Sequence, residues 1–540
     1  MSTSGTERLM SLYEKLRLAL PEQLPAYFSM QRWFGGKARR TRSVELVDLV
    51  PLCRGGAFVL LTRVDYEVGP SEQYMLPMIV SDATSGQSAD STAALTVGRG
   101  GSGANLVLTD ALKNDQFLSW LLDAIEVKHV SQGIRGEICA STTGVFQDIR
   151  SRAGEDLGPR LLTGEQSNSS VAYGDRLILK LFRRIEQGVN PDQEIALFLT
   201  VNAHFPHVPP LAGSLEYRGV SGGVISIGML QGFVPNQGDA WRSTLLSLEG
   251  FWEETAKHPG GPPALTGDAA DPHCPYEARL PPIATELIGA YLEKVELLGK
   301  RTAELHLALA SDASDPAFAP EPFTLSFQRD VSVEACELAT RNFGLLRQKL
   351  DELHPDARAQ AIHILGREPA IQEKFRSLAN AKGLGDRIRI HGDYHLGQVL
   401  YTGSDFVIID FEGEPARPLS ERRVKRSPLQ DVAGMVRSFH YAAFAHLLGL
   451  ADQSQLPQKD FEHFAPWAQS WYTWVVSRFL CSYFEIAQSG SFLPPSREEI
   501  SALLQIHLLE KAVYELGYEL NNRPAWVGIP LAGISQLLAC

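Results

Sequence analysis

The sequence predicts an α+β protein in which a β-rich part comes first and a mostly helical part follows. Two blocks of strand-like runs, at 44–110 and 163–235, precede helical runs that begin near residue 286 and continue to residue 522. A hairpin-like segment with several polar side chains interrupts the helical part. This order of elements favours two lobes, a small β-rich one and a larger helical one.

The hairpin-like segment consists of Arg389–Gln398 followed by Val407–Glu412. Apolar residues typical of strands lie on both sides of its polar groups. Between the two apolar runs, Thr402–Ser404 has the composition of a turn. We therefore predict a short β-hairpin that presents polar side chains at its ends.

Three side chains of this segment have the chemistry of a phosphoryl-transfer site. Asp393 offers a carboxylate that can take a proton from a substrate hydroxyl. Gln398, five residues later, and Asp410, at the end of the next strand, offer the hard oxygen ligands that Mg²⁺ prefers. The spacing is that of the catalytic Asp, the amide and the metal-binding Asp of protein kinases. A plain hairpin whose carboxylates cap turns is the alternative.

A lysine and a glutamate earlier in the chain match two further parts of a kinase. Lys180 lies inside the otherwise apolar strand Leu177–Phe182, and Glu194 follows on a helix that Asn190 and Pro191 are predicted to begin. In kinases, a strand lysine paired with a helix glutamate orients the nucleotide phosphates. We therefore predict that Lys180 and Glu194 bind ATP, although a solvent-facing strand lysine has the same pattern.

Small residues before this strand are predicted to approach the phosphates. The run Gly164–Ser170 lies between two predicted strands, and small side chains let backbone amides contact phosphate oxygens. Further on, Gln231–Val234 is predicted to connect the lobes, where backbone groups commonly hold the adenine edge. The predicted ATP-binding residues of the loop and the connection are Ser167, Asn168, Ser169, Ser170, Gln231 and Phe233.

The last long helix carries a lysine and two tyrosines on one face. Lys511, Tyr514 and Tyr518 are spaced three and four residues apart, which places them on the same side of a helix. A snorkelling lysine with two core tyrosines has the same pattern, so a structural role stays open. Substrate binding is the alternative, because sugar sites combine flat aromatic surfaces with a few polar groups.

Together these motifs resemble the kinase-like small-molecule phosphotransferases, which include aminoglycoside and choline kinases, and among them the bacterial maltokinases. His391–Asp393 stands where protein kinases have His-Arg-Asp, and Asp410–Glu412 where they have Asp-Phe-Gly. Gln398 replaces the usual Asn but matches the maltokinases. The resemblance implies a bilobal protein-kinase-like (aminoglycoside phosphotransferase-like) fold with an N-terminal α+β cap subdomain. It also implies four sugar-binding residues, namely His395, Lys511, Tyr514 and Tyr518.

The resemblance divides the chain into three parts. We expect a cap subdomain at 1–135, a β-rich nucleotide-binding lobe at 136–235 and a helical, catalytic and sugar-binding lobe at 236–540. In the cap, the block Arg32–Lys37 (RWFGGK) is similar to a block of the maltokinases, although the match does not assign it a role. A basic turn on a solvated surface is the alternative. The Gly98–Gly103 cluster precedes a strand and not a helix start with Lys-Ser or Lys-Thr, which predicts a hairpin tip.

Two further segments have roles that the sequence leaves open. Residues 258–283 are rich in Pro and Gly, which predicts a mobile loop. The segment Pro415–Arg426 carries five basic residues and follows the predicted metal ligand Asp410. It either lies on a solvated surface or helps to hold phosphates.

Composition and charge exclude several classes of protein. A chain of 540 residues predicts two or three domains, and 44% hydrophobic with 21% charged residues is typical of globular proteins. A net charge of −13 argues against bulk binding to nucleic acid or to an anionic membrane. The six cysteines are scattered, which suits a reducing compartment. Without an N-terminal secretory pattern or an apolar run of membrane-spanning length, the expected location is the cytoplasm.

The resulting hypothesis is an ATP-dependent, Mg²⁺-using kinase that converts maltose to α-maltose 1-phosphate for α-glucan and glycogen synthesis. The resemblance also implies trehalose synthase, as a separate chain, among the candidate partners. One alternative is a related sugar kinase, such as a glucosamine kinase, that differs only in its acceptor pocket. Another is a catalytically silent kinase-like partner of trehalose synthase. Intact Lys180, Asp393, Gln398 and Asp410 argue against the silent partner.

Overall fold

The computed structural model describes two compact units. One unit consists of Met1–Val201 with Pro209–Pro235, and the other of Asn202–Val208 with Asn236–Cys540. The first unit contains both the predicted cap and the predicted β-rich lobe, so the division into three parts stays a prediction. The residues that the structure describes are 3–52, 56–82, 95–99, 105–150, 157–162, 167–220, 222–258, 260–263, 280–448 and 461–539.

Strands dominate the first unit and form two antiparallel sheets. Its strands are β1 (Thr41–Pro51), β2 (Ala57–Tyr66), β3 (Glu72–Asp82), β4 (Leu95–Arg99), β5 (Asn105–Asp110), β6 (Val130–Gln132), β7 (Gly136–Thr142), β8 (Pro159–Leu162), β9 (Asn168–Tyr173), β10 (Leu177–Phe182), β11 (Arg184–Ile185), β12 (Leu211–Gly219) and β13 (Val224–Gly232). One sheet has the order β1-β2-β3-β5-β4 with β11 beside β3. The other has the order β6-β7-β12-β13-β10-β9-β8.

Helices cover these sheets. They are α1 (Thr3–Ala19), α2 (Leu24–Met30), α3 (Asp115–Glu126), α4 (Val145–Arg150) and α5 (Pro191–Val201). The side chain of Asn114 accepts a hydrogen bond from the Phe117 N–H and so caps the start of α3. The apolar face of α3, which includes Leu121 and Ile125, enters a core that residues from both sheets share. A second core lies between α1, α2 and the sheet that begins with β1.

A buried carboxylate joins the two sheets of the first unit. Asp48, on β1, has no exposed surface. Its carboxylate accepts hydrogen bonds from the N–H groups of Ile134 and Arg135 at 3.0 Å and from the Tyr217 hydroxyl at 2.8 Å. Because a buried carboxylate needs several donors, Asp48 fixes the loop before β7 and strand β12 against β1.

The second unit is mostly helical. Its helices are α6 (Ala240–Thr255), α7 (Pro282–Ile288), α8 (Tyr291–Leu309), α9 (Leu325–Lys349), α10 (Pro355–Gly366), α11 (Glu368–Ser377), α12 (Leu419–Arg422), α13 (Leu429–Leu447), α14 (Phe461–Ala487), α15 (Arg497–Asn522) and α16 (Gly528–Ala539). Two short antiparallel strand pairs accompany them: β14 (Glu321–Pro322) with β15 (Asp386–Arg387), and the hairpin of β16 (Val399–Tyr401) with β17 (Phe406–Ile408). Helix α13 is buried along nearly its whole length. No described helix is long and apolar enough to cross a membrane.

The predicted fold class is confirmed, and most predicted elements differ from the structure only at their ends. Helix α15 spans the predicted residues, because Ser496 and Glu499 exchange side-chain and backbone hydrogen bonds at its start. The helical run that was predicted to begin near residue 286 begins at Pro282 and is interrupted. Gly289, with φ of +61°, separates α7 from α8 there. Helix α10 was not predicted, and most of the predicted loop at 258–283 lies outside the described residues.

Candidate active site

A buried carboxylate fixes the backbone of the loop that carries Asp393. The side chain of Asp431, on α13, accepts hydrogen bonds from the N–H groups of His391 at 2.8 Å and Gly392 at 2.9 Å. His306 Nε2 lies 3.2 Å from the same carboxylate. Burial raises the pKa of Asp431, but its contact with His306 and the backbone donors outweigh this effect and lower it. Asp431 therefore stays ionised and holds the loop from inside the unit.

The imidazole of His391 connects this loop to the strand that leads to Asp410. Its Nε2 lies 2.9 Å from the carbonyl oxygen of Ile409, and its ring packs against the Phe411 ring with 4.9 Å between centroids. Gly392, next to it, has φ of +82°, which favours glycine. These contacts and the backbone of Gly392 hold the two residues that precede Asp393, and so help to set its position.

Asp393 faces a lysine from the last long helix. Lys511 Nζ lies 3.5 Å from Asp393 Oδ1, and the two side chains are only 26% and 23% exposed. Burial lowers the pKa of Lys511, but the surrounding negative charges, that of Asp393 first among them, raise it above its ordinary value. The candidate base therefore has a permanent cation beside it, although Lys511 lies 118 residues further along the chain.

The two predicted metal ligands are in direct contact. Gln398 Nε2 lies 2.9 Å from Asp410 Oδ2. Asp410 has φ of +67°, a left-handed conformation that is rare for residues other than glycine and is often found at functional positions. The contact is made by the amide nitrogen, while the Asp410 carboxylate and the Gln398 amide oxygen are the types of hard ligand that Mg²⁺ prefers.

The hairpin between these two residues is held from two directions. Arg301, on α8, donates from Nε and Nη2 to the two carboxylate oxygens of Asp405 at 2.8 and 2.7 Å. On the other edge, the N–H of Tyr401 donates to the carbonyl of Gly238 at 2.9 Å. This backbone pairing brings the start of α6, with Trp241, beside the hairpin.

A cavity of about 690 Å³ opens beside Asp393, and all of its lining comes from the second unit. Its aromatic residues are Trp241, Tyr441, Tyr514, Tyr518 and Trp526. Its charged and polar residues include Asp239, Asp393, His395, Glu414, Lys511, Glu515, Glu519 and Arg523. All four predicted sugar-binding residues therefore lie in one cavity together with the candidate base.

Hydrogen bonds orient the polar side of this cavity. The Tyr514 hydroxyl donates to Glu414 Oε1 at 2.5 Å, and burial raises the pKa of Tyr514, so the phenol stays protonated. Arg523 donates from Nε and Nη2 to the Glu519 carboxylate at 2.9 and 2.6 Å. Burial nevertheless raises the pKa of Glu519. The guanidinium of Arg523 also lies 4.5 Å above the ring of Trp526.

His395 has its protonation state set by burial and by a local hydrogen bond. Its Nδ1 accepts from the N–H of Gly397 at 3.0 Å, which leaves the ring proton on Nε2. Burial lowers the pKa of His395 below its ordinary value. A neutral imidazole with a free Nε2–H can donate to a hydroxyl group.

In the first unit, Lys180 forms an ion pair with Asp192. Lys180 Nζ lies 2.9 Å from Asp192 Oδ2, and the side chains are 12% and 2% exposed. Asp192 was not predicted, whereas Glu194, two residues later on α5, was. Asn190 Oδ1 accepts from the Asp192 N–H at 2.9 Å, so the predicted start of α5 is the feature that orients Asp192. The role of Glu194, which is half-buried, stays a prediction.

The predicted phosphate-binding residues lie on β9 and directly before it. Ser167 is exposed and Ser170 is buried, while Gly164 lies outside the described residues. In the sheet, Ser170 pairs with Lys180, so the lysine and the end of the loop occupy adjacent strands. The Oγ of Ser169 accepts from Arg183 Nε at 2.8 Å.

The predicted connection between the lobes lies at the end of β13. Gln231 pairs with Ile178 across the sheet, and the N–H of Phe233 donates to the carbonyl of Arg176 at 2.8 Å. The ATP-binding roles of Gln231 and Phe233 stay predictions.

Part of the basic run at 415–426 is structural. Lys425 Nζ donates to the carbonyls of Pro316 and Ala319 and to Glu321 at 2.6–2.8 Å. Arg426 donates to Glu334 at 3.2–3.3 Å. Arg417, Arg422 and Arg426 also line a smaller cavity of about 120 Å³, which shares Asp393 and Lys511 with the larger one.

Several residues of the candidate site were not among those predicted from the sequence. Trp241, Tyr441 and Trp526 lie on three different helical segments, and only the fold brings them together. Asp192 could have been found, because it lies in the first turn of α5 and precedes Glu194 by two residues. Glu414 could have been found as the first acidic residue after Asp410–Gly413.

Comparison with known proteins agrees with this architecture. Residues 27–113 match the family described as "Maltokinase N-terminal cap domain". The chain is 25% identical over 394 residues to a glucosamine kinase of Mycolicibacterium smegmatis (strain ATCC 700084 / mc(2)155), covering 71% of this chain and 80% of that protein. It is 24% identical over 247 residues to a glucosamine kinase of Streptacidiphilus jiangxiensis, covering 45% and 48% of the two chains.

Solved structures give the same result for the fold. A glucosamine kinase in complex with glucosamine, ADP and inorganic phosphate superposes with a TM-score of 0.61 at 16% identity, covering 95% of this chain and 98% of that one. A second crystal form of glucosamine kinase gives a TM-score of 0.62 at 16% identity, covering 94% and 96%.

Fold and comparisons define the protein as a member of the kinase-like fold class with an added N-terminal cap. The cap is of the maltokinase type, and the chain as a whole is similar to glucosamine kinases.

Proposed function

We propose that the protein is an ATP-dependent sugar kinase that phosphorylates the anomeric hydroxyl of maltose, giving α-maltose 1-phosphate and ADP. The observation that carries the proposal is the position of Asp393, which borders a large aromatic-lined cavity and faces the cation of Lys511. The cap domain, whose family is named after maltokinases, supports it.

In the proposed reaction, Asp393 accepts the proton of the sugar hydroxyl as its oxygen attacks the γ-phosphorus of ATP. The bond between the γ-phosphorus and the β–γ bridging oxygen breaks, and ADP leaves with that oxygen. Lys511, beside Asp393, stabilises negative charge near the attacking oxygen. Catalysis of this kind rests on positioning and electrostatic stabilisation.

The nucleotide is proposed to be held by a lysine side chain, by backbone amides and by two residues that would bind Mg²⁺. Lys180, oriented by Asp192, neutralises phosphate charge, and backbone amides near Ser167–Ser170 contact phosphate oxygens. Gln398 and Asp410 would hold Mg²⁺, which supplies charge neutralisation on the phosphates when bound. The proximity of the Gln398 amide to the Asp410 carboxylate and the left-handed backbone of Asp410 support this role.

Maltose is favoured as acceptor by the size and lining of the cavity. A volume of about 690 Å³ lies within the range of roughly 300–1,000 Å³ that small-molecule sites have, and it exceeds what one hexose ring needs. Tyr514 and Tyr518 lie on α15, and Trp526 lies on the short segment that follows it. Aromatic groups on separate segments of the lining offer surfaces for more than one sugar ring.

Glucosamine is the second candidate. The relatives named above are glucosamine kinases, and the cavity lining contains five carboxylates against two basic side chains, Lys511 and Arg523. An excess of carboxylates favours an acceptor with an ammonium group. Glu414 is the best partner for that group, since its described contact is the neutral Tyr514 hydroxyl.

An acceptor panel tests the proposal. Purified protein with Mg-ATP is incubated with maltose, glucose, glucosamine, trehalose or buffer alone, and ADP formation is measured. The account expects ADP formation that depends on maltose. ADP formation with glucosamine alone would keep the phosphoryl-transfer assignment and replace the acceptor. ATP binding without turnover of any sugar would contradict the enzyme assignment and favour a silent, regulatory kinase-like protein.

A further inference from the structure

The block Arg32–Lys37 has no part in the proposed reaction, yet the structure gives it a defined environment. Trp33 packs edge-on against Phe28 with 5.7 Å between ring centroids, and its ring lies 5.9 Å from that of Tyr74. Phe34 is only 5% exposed. The aromatic residues of the block, Trp33 and Phe34, therefore pack at the core of the first unit, whereas its basic residues, Arg32 and Lys37, are exposed in the same turn.

Trp33 is in turn packed against a buried arginine, Arg183, that follows β10. The guanidinium of Arg183 lies 5.0 Å above the Trp33 ring, and the side chain is 2% exposed. Its Nη2 donates to Asp110 Oδ2 at 2.7 Å, and its Nε donates to the Oγ of Ser169 at 2.8 Å. One side chain thus connects Trp33 and Asp110 of the cap sheet region with the strand that carries the predicted phosphate-binding residues.

The backbone makes the same connection. The N–H of Met75, on β3, donates to the carbonyl of Arg183 at 2.8 Å, and Arg184 pairs with Tyr74. Arg183 lies three residues after Lys180, and in the sheet Leu181 pairs with Ser169. Any displacement of Arg183 would therefore reach both β9 and β10.

The hydrogen bonding of Arg183 argues against a role in stability alone. Its Nη1 is buried and has no hydrogen-bond partner among the described residues. Burial of an unsatisfied charged donor is costly, and replacement by an apolar side chain of similar length would remove that cost. What an apolar side chain could not do is hold Ser169 and Asp110 at fixed positions through a planar, forked donor.

We propose that Arg183 is a positioning residue through which the cap, by way of Trp33 and Asp110, sets the position of the phosphate-binding strand at Ser169. The inference rests on the proposed function insofar as that strand binds ATP. The Arg32–Lys37 block would then support nucleotide binding without contacting the nucleotide.

Nucleotide affinity measured without acceptor sugar tests this assignment. Isothermal titration with Mg-ATP is performed on the wild type, Arg183→Met, Arg183→Lys and Trp33→Leu. The matched control is Arg184→Gln, which changes the neighbouring arginine, whose side chain is 42% exposed and pairs with Glu72 and Glu186. Thermal unfolding of every variant is recorded, and titrations are made well below the lowest Tm.

The expected result is a roughly tenfold weaker affinity for Mg-ATP in Arg183→Met, the scale for loss of a charge-assisted hydrogen bond. Arg183→Lys should restore part of the loss, because it keeps the charge but lacks the fork. Arg184→Gln should bind as the wild type. The Michaelis constant for the sugar should change less than twofold in Arg183→Met, whereas general loosening of the fold would change both constants.

A double-mutant cycle gives the sharper result. If Trp33 acts through Arg183, Trp33→Leu should weaken ATP binding in the wild type but cause little further loss in Arg183→Met. Additive losses, or a folded Arg183→Met that binds ATP normally, would overturn the inference. Failure of the wild type to bind Mg-ATP at all would instead reject the proposed function, so the two failures are distinguishable.

Discussion

The catalytic segment and the acceptor cavity of the second unit are built in opposite ways. In the segment, Asp393, Gln398 and Asp410 lie within one short stretch, and a hairpin brings Gln398 into contact with Asp410. In the cavity, Asp393 and His395 of the segment are joined by walls from the start of α6, from α13, from α15 and from the turn after it. If the proposed roles are right, phosphoryl transfer depends mainly on residues that are close in sequence, whereas the choice of acceptor depends on packing between distant helices.

The largest expected effect is on the catalytic segment. Asp393→Asn should lower turnover by roughly 10²–10⁴-fold, because the amide cannot accept the proton of the sugar hydroxyl. Steady-state kinetics check this result, and thermal unfolding should be close to that of the wild type. The control is Asp356→Asn on α10. The carboxylate of Asp356 is 89% exposed, and the residue is distant in sequence from Asp393. Near-normal turnover in a folded Asp393→Asn variant would remove the assignment.

The support of the catalytic loop should show the next largest effect. Asp431→Asn should lower turnover by about 10–100-fold, since two loop amides lose a charged acceptor. It should also lower the free energy of unfolding by about 3–5 kcal/mol, the scale for breaking a buried ionic contact. Denaturant unfolding and kinetics measure both quantities.

The stability difference between the wild type and Asp431→Asn should change with pH in a defined direction. The pKa of Asp431 is lowered in the folded state, so its contribution to stability is fully present above its unfolded pKa of about 3.9 and is lost as the pH falls through the folded value. The stability difference between the wild type and Asp431→Asn should therefore shrink below about pH 4. A difference that stays constant down to the acid transition would contradict the ionic role of Asp431.

A smaller effect is expected in the acceptor cavity. Tyr514→Phe removes the hydroxyl that donates to Glu414 and should raise the Michaelis constant for the sugar several-fold, while that for ATP stays unchanged. The matched control is Tyr401→Phe, whose hydroxyl donates to the carbonyl of Gly403 at 2.7 Å in the β16–β17 turn, outside this cavity. Equal effects of the two variants on the sugar would mean that the Tyr514 hydroxyl has no special role.

The smallest effect on activity is expected in the basic run that follows the catalytic segment. Lys425→Ala should lower the Tm, because the buried Lys425 side chain donates to three acceptors, but should leave the Michaelis constant for ATP within twofold. Lys257→Ala, at a position with 65% exposure, is the control and should change neither quantity. A large rise in the Michaelis constant for ATP in Lys425→Ala would show that Lys425 serves the phosphates instead.

The same contrast explains how much the sequence could predict. The fold class and the hairpin from Val399 to Ile408 follow from local patterns of apolar and turn residues, and the structure confirms them. The N-terminal helix cap of α15 can be predicted from the sequence, because Ser496 and Glu499 lie three residues apart. The break at Gly289 was missed, because apolar spacing continues across it and only the backbone angle shows the interruption.

Long-range pairings were beyond the sequence. Nothing near Asp431 indicates that it holds the loop at His391, and nothing near Lys511 indicates that it faces Asp393, since both contacts depend on how α13 and α15 pack. The lysine–acid pair of the first unit illustrates the limit at short range. Helix α5 presents both Asp192 and Glu194 in its first turn, and only side-chain geometry shows that Asp192 contacts Lys180.

The most direct test of the central claim is to identify the product formed from maltose and Mg-ATP by ³¹P nuclear magnetic resonance. The account predicts one new phosphorus signal that is coupled to the anomeric proton, appears with ADP in equal amount and is absent with Asp393→Asn. A phosphate on another carbon of maltose, or a signal only when glucosamine replaces maltose, would contradict the claim that this cavity presents the anomeric hydroxyl of a disaccharide to Asp393.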